Sequence, residues 1–259
     1  RLTILVLLLN IMNRLLAVFW DVDGTIADTE LCGHKVAFNL AFNDFDLDWK
    51  WDDNKYLDLL KISGGFNRII HYRNEINSDL SNEKCSMIQS RKRFHYKKLV
   101  KSGKIKVRQG VIRLMKELAD LNIEQIIVTT SGRESLEPLL NSSLQSYLEY
   151  FSQIITFEDV KNHKPSPDAY DMAVRLSRKA NKNCIVIEDS IIGVKAAKAA
   201  NLHSLLTLPP WLASFDNIPR IASACVDCLG NEDKQTNLIY GKQLQDKFVD
   251  SNYLTNIIN

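Results

Sequence analysis

Asp21 and Asp23 stand two positions apart at the end of an apolar run and are followed directly by Gly24 and Thr25. Two carboxylates so close repel one another unless a cation or a proton lies between them. One of such a pair can attack phosphorus while the other transfers protons. Gly24 lets the chain turn sharply and come close to a ligand. The same five residues, Asp21-Val22-Asp23-Gly24-Thr25, also fit a plain Asx turn, so their meaning depends on what else the chain supplies. Thr130 and Ser131 close a second apolar run with hydroxyl and backbone donors, although Thr and Ser also cap helices at such places. Lys164 opens the segment Lys164-Pro165-Ser166-Pro167-Asp168. There Ser166 suits a helix cap and Pro167 a first helical turn, which would fix the loop carrying the lysine. An ammonium in that loop can neutralise a transferring phosphoryl group. Finally, Glu188 and Asp189 end a further apolar run, a costly place for acids unless they are paired or bind a metal. Hard oxygen ligands of this kind suit Mg2+.

The elements that must position these residues follow from periodicity. Leu15–Trp20, Glu124–Thr129, Gln153–Thr156, Cys184–Ile187 and Ser204–Thr207 are short apolar runs, as in strands buried on both faces. Helical patterns separate them at Val111–Leu121, Ser135–Leu148, Pro167–Ala180 and Ile191–Ala200. Such alternation predicts an α/β fold, a doubly wound parallel sheet, in which ligands sit beyond the carboxyl ends of the strands. All four polar groups fall at such ends. Residues 30–106 interrupt the alternation with a helix-rich, aromatic and basic stretch, expected to be an inserted helical cap domain. The core domain is then expected over 12–29 and 107–259. One more amphipathic helix is expected over Asn237–Tyr253.

Composition is that of an ordinary globular chain, 45% hydrophobic and 25% charged, with a net charge of +2. Nothing in it calls for nucleic acid or an anionic membrane, and the expected partner is a small molecule bound by a monomer. The five cysteines are scattered, and Cys225-x-x-Cys228 lacks the second pair or histidines of a zinc site. A reduced compartment, cytoplasm or plastid stroma, is expected. The apolar segment Arg1–Met12 has no small-residue cleavage site after it and is shorter than the ~20 residues of a membrane span. Residues 1–11 are expected to be a non-functional extension, with Met12 a candidate start.

Together, Asp21–Thr25, Thr130, Lys164-Pro165 and Glu188-Asp189 resemble the four motifs of the haloacid dehalogenase superfamily of phosphotransferases. The resemblance runs from Leu15 onward. It implies that Asp21 attacks phosphorus, and that Asp23 protonates the leaving alkoxide and then deprotonates the hydrolytic water. It implies further that Thr130 and Lys164 hold the phosphoryl oxygens. Mg2+ would be held by Asp21, the Asp23 backbone carbonyl and Asp189, with Glu188 assisting.

Within that superfamily, Ala27–Glu30, Gly33–Asn39, Asp48–Asp52, Tyr56–Leu60 and Gly64-Gly65-x-x-Arg68 are similar to the CbbY group. That group implies a phosphatase acting on xylulose-1,5-bisphosphate. By the same resemblance, Glu30, Tyr56, the loop Gly64-Gly65-Phe66-Asn67-Arg68 and the turn Thr130-Ser131-Gly132-Arg133 would contact substrate. Arg68, with its bidentate fork, is the expected anchor for the distal phosphate. The CbbY group usually has Lys-Glu where this chain has Phe66-Asn67, and losing the lysine removes one positive charge for the distal phosphate. A β-phosphoglucomutase, a phosphoglycolate phosphatase and a non-catalytic protein on the same scaffold remain as alternatives.

Overall fold

Ala17–Trp20 forms β1, an interior strand of a sheet, and all four side chains are fully buried. A run of apolar residues covered on both faces is what an interior parallel strand requires. A computed structural model describes residues 14–62, 64–212 and 218–259; the expected extension 1–11 and the start at Met12 lie outside the described residues. After β1 come a π-helical turn, Glu30–Lys35, and helices α1 (Val36–Asp44), α2 (Asp53–Leu59), α3 (Gly65–Glu75) and α4 (Asn82–Lys101). The chain continues with α5 (Val111–Asp120), β2 (Glu124–Val128), α6 (Arg133–Leu140) and β3 (Phe151–Ile155). Then follow α7 (Asp168–Ser177), β4 (Cys184–Glu188), α8 (Ile191–Ala199) and β5 (His203–Thr207). Strands β6 (Ala224–Val226) and β7 (Leu238–Tyr240) and helix α9 (Ser251–Ile258) complete the described elements.

The strands form one sheet in the order β3-β2-β1-β4-β5-β6-β7. Every pairing is parallel except β6 with β7. Trp20 aligns with Ile127 of β2 on one side and Ile187 of β4 on the other. The register therefore brings the residues just past β1, β2 and β4 to one end of the sheet. On one face Ala17, Phe19, Ile126, Val128 and Val186 pack with Tyr170 and Ala173 of α7 and Ala196 of α8. Buried Trp20 donates from its indole nitrogen to Gln125 Oε1 at 3.1 Å, and Gln125 passes its own donor to the Met115 carbonyl at 3.0 Å. Gln125→Leu strands the indole donor and the Met115 carbonyl, and is expected to lower stability by about 1–3 kcal/mol in urea unfolding without changing the fold.

The chain divides into two compact units: 1–28, 107–136 and 144–259, which hold the sheet, and Thr29–Lys106 with Glu137–Ser143. The second unit is built around aromatic rings. Phe38 and Phe42 of α1 pack on Trp51 at centroid distances of 4.6 and 4.9 Å, with Trp49, Tyr56 and Ile69 around them. Asn39 fixes the chain at Trp51 by bonding both its backbone groups at 2.8 Å. Side-chain caps start two of its helices, Asp52 on the Lys55 amide and Ser81 on the Lys84 amide.

Three sequence expectations need correction. The helix expected over Asn237–Tyr253 is replaced by strand β7, Gly241 in the left-handed region at φ 119°, and a helix that starts only at Ser251. Asp250 explains that start, because its carboxylate accepts from the Tyr253 amide at 2.7 Å. The single helix expected over Ser135–Leu148 stops at Leu140 and resumes as a 3-10 turn at Gln145–Tyr150, with Ser142 returning its hydroxyl to the Pro138 carbonyl at 2.7 Å. Ser166 does not cap α7; its hydroxyl donates to Asp168 Oδ1 at 2.6 Å instead.

Candidate active site

Just beyond β1 the chain curls about the Val22 carbonyl, which accepts from the amides of Thr25, Ile26 and Ala27. Gly24 closes the curl at φ 85°, a conformation that side chains rarely adopt. Any Cβ there would also run into the Asp189 carboxylate. Arg108 secures the curl by donating to the Gly24 carbonyl and to the Leu208 carbonyl, with longer bonds to Thr207 and Asp227. Its guanidinium thus ties the loop after β1 to the chain that follows β5 and β6.

Lys164 is the hinge of the chemistry. Its ammonium, almost wholly enclosed, donates to Asp21 Oδ1 at 2.8 Å, Glu188 Oε1 at 2.7 Å and the Val128 carbonyl at 2.9 Å. All three of its protons are therefore used, and the head is fixed between β1, β2 and β4. Burial alone would lower its pKa, but the charges of Asp21 and Glu188 outweigh it and hold the group well above the ordinary value. Asp21 fares differently: burial first, then the Glu188 charge, push its pKa up to about 7 against the pull of Lys164.

Those opposing shifts show a charge imbalance. Asp21, Glu188 and Asp189 place carboxylate oxygens within 4.8 Å of one another, the cluster with metal-binding geometry among the described residues. Lys164 alone bridges the two buried acids, Asp21 and Glu188, with part-buried Asp189 beside them, and the donors are all hard oxygens. The set fits a small divalent cation such as Mg2+.

Asp23 sits beside this cluster, accepting from the Ser131 hydroxyl at 2.5 Å. Thr130, expected to face a phosphoryl group, is exposed, whereas Thr129 is buried and its hydroxyl accepts from the Ser131 amide at 3.0 Å. Thr129 directly follows β2, as Asp21 follows β1, so the strand end falls one residue earlier than the sequence pattern suggests. The turn then leans on acids: Arg133's amide donates to Glu158, one nitrogen of its guanidinium donates to both Asp159 oxygens at 2.6 and 2.7 Å, and Gly132 leaves room for Glu158.

The other expected substrate residues lie in the second unit. Glu30 opens the π-helical turn and accepts from the hydroxyl of buried Tyr56 at 2.5 Å. Arg68 reaches the same hydroxyl at 3.5 Å and donates to the Ile62 carbonyl at 2.9 Å. Gly64, at φ 87°, leads into α3, whose first turn holds Gly65, half-exposed Phe66 and Asn67. Gly65 lies against the Gln89 amide, which leaves no room for a side chain there. Glu30, Tyr56 and Arg68 thus form one polar chain within that unit. The Cys225-x-x-Cys228 pair is buried and free, with burial pushing the Cys225 thiol up to about 12.

Sequence reading did not single out Thr129, Tyr170, Arg108 or Gly193. Tyr170 looks like core because it lies between Ala169 and Ala173 on the apolar face of α7; its hydroxyl was the available signal.

Comparison with known proteins agrees with the fold. Residues 18–207 match the family described as haloacid dehalogenase-like hydrolase. CbbY of Cupriavidus necator, plasmid-borne, is 36% identical over 74% of this chain and 77% of its own length. CbbY of Rhodobacter capsulatus is 31% identical over 83% of this chain and 98% of its own. A crystal structure of a CbbY variant from Rhodobacter sphaeroides in complex with xylulose-1,5-bisphosphate superposes with a TM-score of 0.70 at 29% identity, covering 82% of this chain and 93% of that one. With its strand-end acids, its lysine and its sheet order all in place, the chain belongs to the haloacid dehalogenase-like hydrolases, as a phosphatase with CbbY relatives.

Proposed function

We propose that the chain is an Mg2+-dependent phosphatase that converts xylulose-1,5-bisphosphate to xylulose 5-phosphate through an aspartyl-phosphate on Asp21. The observation that carries the reaction is the buried Lys164 ammonium bridging Asp21 and Glu188. The Asp21 carboxylate forms the new O–P bond as the bond from phosphorus to the sugar oxygen breaks. Asp23, oriented by the Ser131 hydroxyl, gives its proton to the departing alkoxide. A water molecule then attacks phosphorus, its proton passes to Asp23, and the Asp21–phosphorus ester bond breaks. Lys164 can turn one donor from Asp21 toward the phosphoryl oxygens as Asp21 is esterified. Thr129, whose hydroxyl proton is not used in accepting from Ser131, takes the phosphoryl contact first expected of Thr130. Asp21, Asp189 and the Asp23 carbonyl are the groups to hold Mg2+, which when bound neutralises charge on the phosphoryl group.

The bisphosphate is supported by the ligand of the similar Rhodobacter sphaeroides protein and by the Glu30–Tyr56–Arg68 chain, whose guanidinium suits a second phosphate. Phosphate release from a panel of sugar phosphates with Mg2+ tests the substrate. A kcat/KM for xylulose-1,5-bisphosphate far above those for phosphoglycolate and β-glucose-1-phosphate is expected; a flat profile overturns it. Phe66→Lys restores a charge to the loop at α3 and is expected to lower KM for the bisphosphate by about 2- to 5-fold with kcat kept. An unchanged KM would remove Phe66 from the distal phosphate.

A further inference from the structure

Glu188 is the most enclosed acid of the site, and its surroundings divide neatly between its two oxygens. Oε1 accepts from Lys164 at 2.7 Å and from the Tyr170 hydroxyl at 2.7 Å. Oε2 accepts from the Ser190 hydroxyl at 3.0 Å and more loosely from the Ser190 amide at 3.4 Å. Ser190 is itself anchored as the cap of α8, accepting from the Gly193 amide at 3.0 Å. The carboxylate occupies the volume that a side chain at position 193 would fill, so Gly193 exists as a seat for Glu188. Tyr170 is fully buried, and the Lys164 ammonium lies 5.0 Å from the centre of its ring. Burial and the Glu188 charge keep the phenol protonated, and therefore a donor. One hydroxyl and one ring thus meet both ends of the Glu188–Lys164 pair.

We infer that Tyr170 is a positioning residue: by holding Glu188 Oε1 from the α7 side, on the seat provided by Gly193, it aims the Lys164 ammonium at the phosphoryl group. Without that bond Lys164 is the donor left to Oε1 among the described residues, the carboxylate draws the ammonium toward itself, and less of the lysine's charge reaches the ligand. The inference rests on the proposed phosphatase chemistry for the role of Lys164. It gives Glu188 the task of fixing the lysine, and leaves direct cation binding to Asp21 and Asp189.

The test is Tyr170→Phe, which removes one oxygen and opens almost no space. Binding of inorganic phosphate in the presence of Mg2+, and of Mg2+ alone, is measured by calorimetry beside steady-state kinetics. Phosphate affinity and kcat are each expected to fall by about 10-fold, the size of effect typical of groups that orient a ligand-binding residue. Mg2+ affinity should stay near that of the parent, while loss of a buried donor lowers the unfolding temperature without changing the fold. Gly193→Ala, which unseats Glu188 from below, should weaken phosphate binding in the same direction. Unchanged phosphate affinity in Tyr170→Phe overturns the inference. So does a loss of Mg2+ affinity equal to the loss for phosphate, which would make Glu188 a metal ligand first. Because phosphate binding is read without turnover, this outcome stays separate from the failure of the phosphatase reading, which would appear as a parent protein that releases no phosphate from any ester.

Discussion

Asp21→Asn is expected to lower phosphate release by at least about 10³-fold, because an amide cannot form the covalent intermediate. The protein should remain folded and, without Mg2+, become more stable. Asp21 has a folded pKa of about 7 against an ordinary value of 3.8, so its charge weighs on the folded state increasingly as pH rises between those values. Removing the charge should therefore stabilise the chain more at pH 8 than at pH 5, where much of the parent's Asp21 is already protonated. Urea unfolding at the two pH values, in chelator, measures this. A variant less stable than the parent at pH 8 would show that Asp21 is a structural partner of Lys164 rather than a strained nucleophile.

Lys164→Met carries the second large effect. The thioether keeps most of the stem volume while removing the ammonium, so Asp21 and Glu188 face each other with no cation between them. Breaking a buried pair in this way costs about 3–5 kcal/mol, and loss of a preorganised charge near the phosphoryl group costs about 10²- to 10³-fold in kcat. Both losses are expected together. Acidification should recover part of the stability but none of the activity, since protonating the acids removes the repulsion without restoring the ammonium. A variant as stable as the parent at pH 8 would contradict the bridging role.

The core strands were legible in the sequence because an interior parallel strand is a plain apolar run, and an acid at its end has few reasons to be there. Asp21 and Glu188 stand out on that ground alone, whereas Lys164 lies in the loop between β3 and α7 and drew attention through the Pro165-Ser166-Pro167 segment that follows it. Thr129 did not, because consecutive Thr129 and Thr130 offer the same chemistry and only the sheet register separates them. Tyr170 hid for the opposite reason: one hydroxyl among alanines reads as packing, and its partner Glu188 lies 18 residues away on another element. Gly193 and Arg108 act through volume and backbone carbonyls, which leave no motif. The carboxyl-terminal helix was misplaced because apolar periodicity over Asn237–Tyr253 is shared by a short strand and a loop, and the Asp250 cap decides where the helix starts.

The most direct test of the account is to trap the intermediate. The protein is mixed with xylulose-1,5-bisphosphate and Mg2+, quenched within one turnover, reduced with borohydride and digested for peptide mass analysis. Conversion of Asp21 to homoserine, absent from the unreacted protein and from Asp21→Asn, is the predicted result. Phosphate release with Asp21 left unmodified, or modification at another carboxylate, would contradict it.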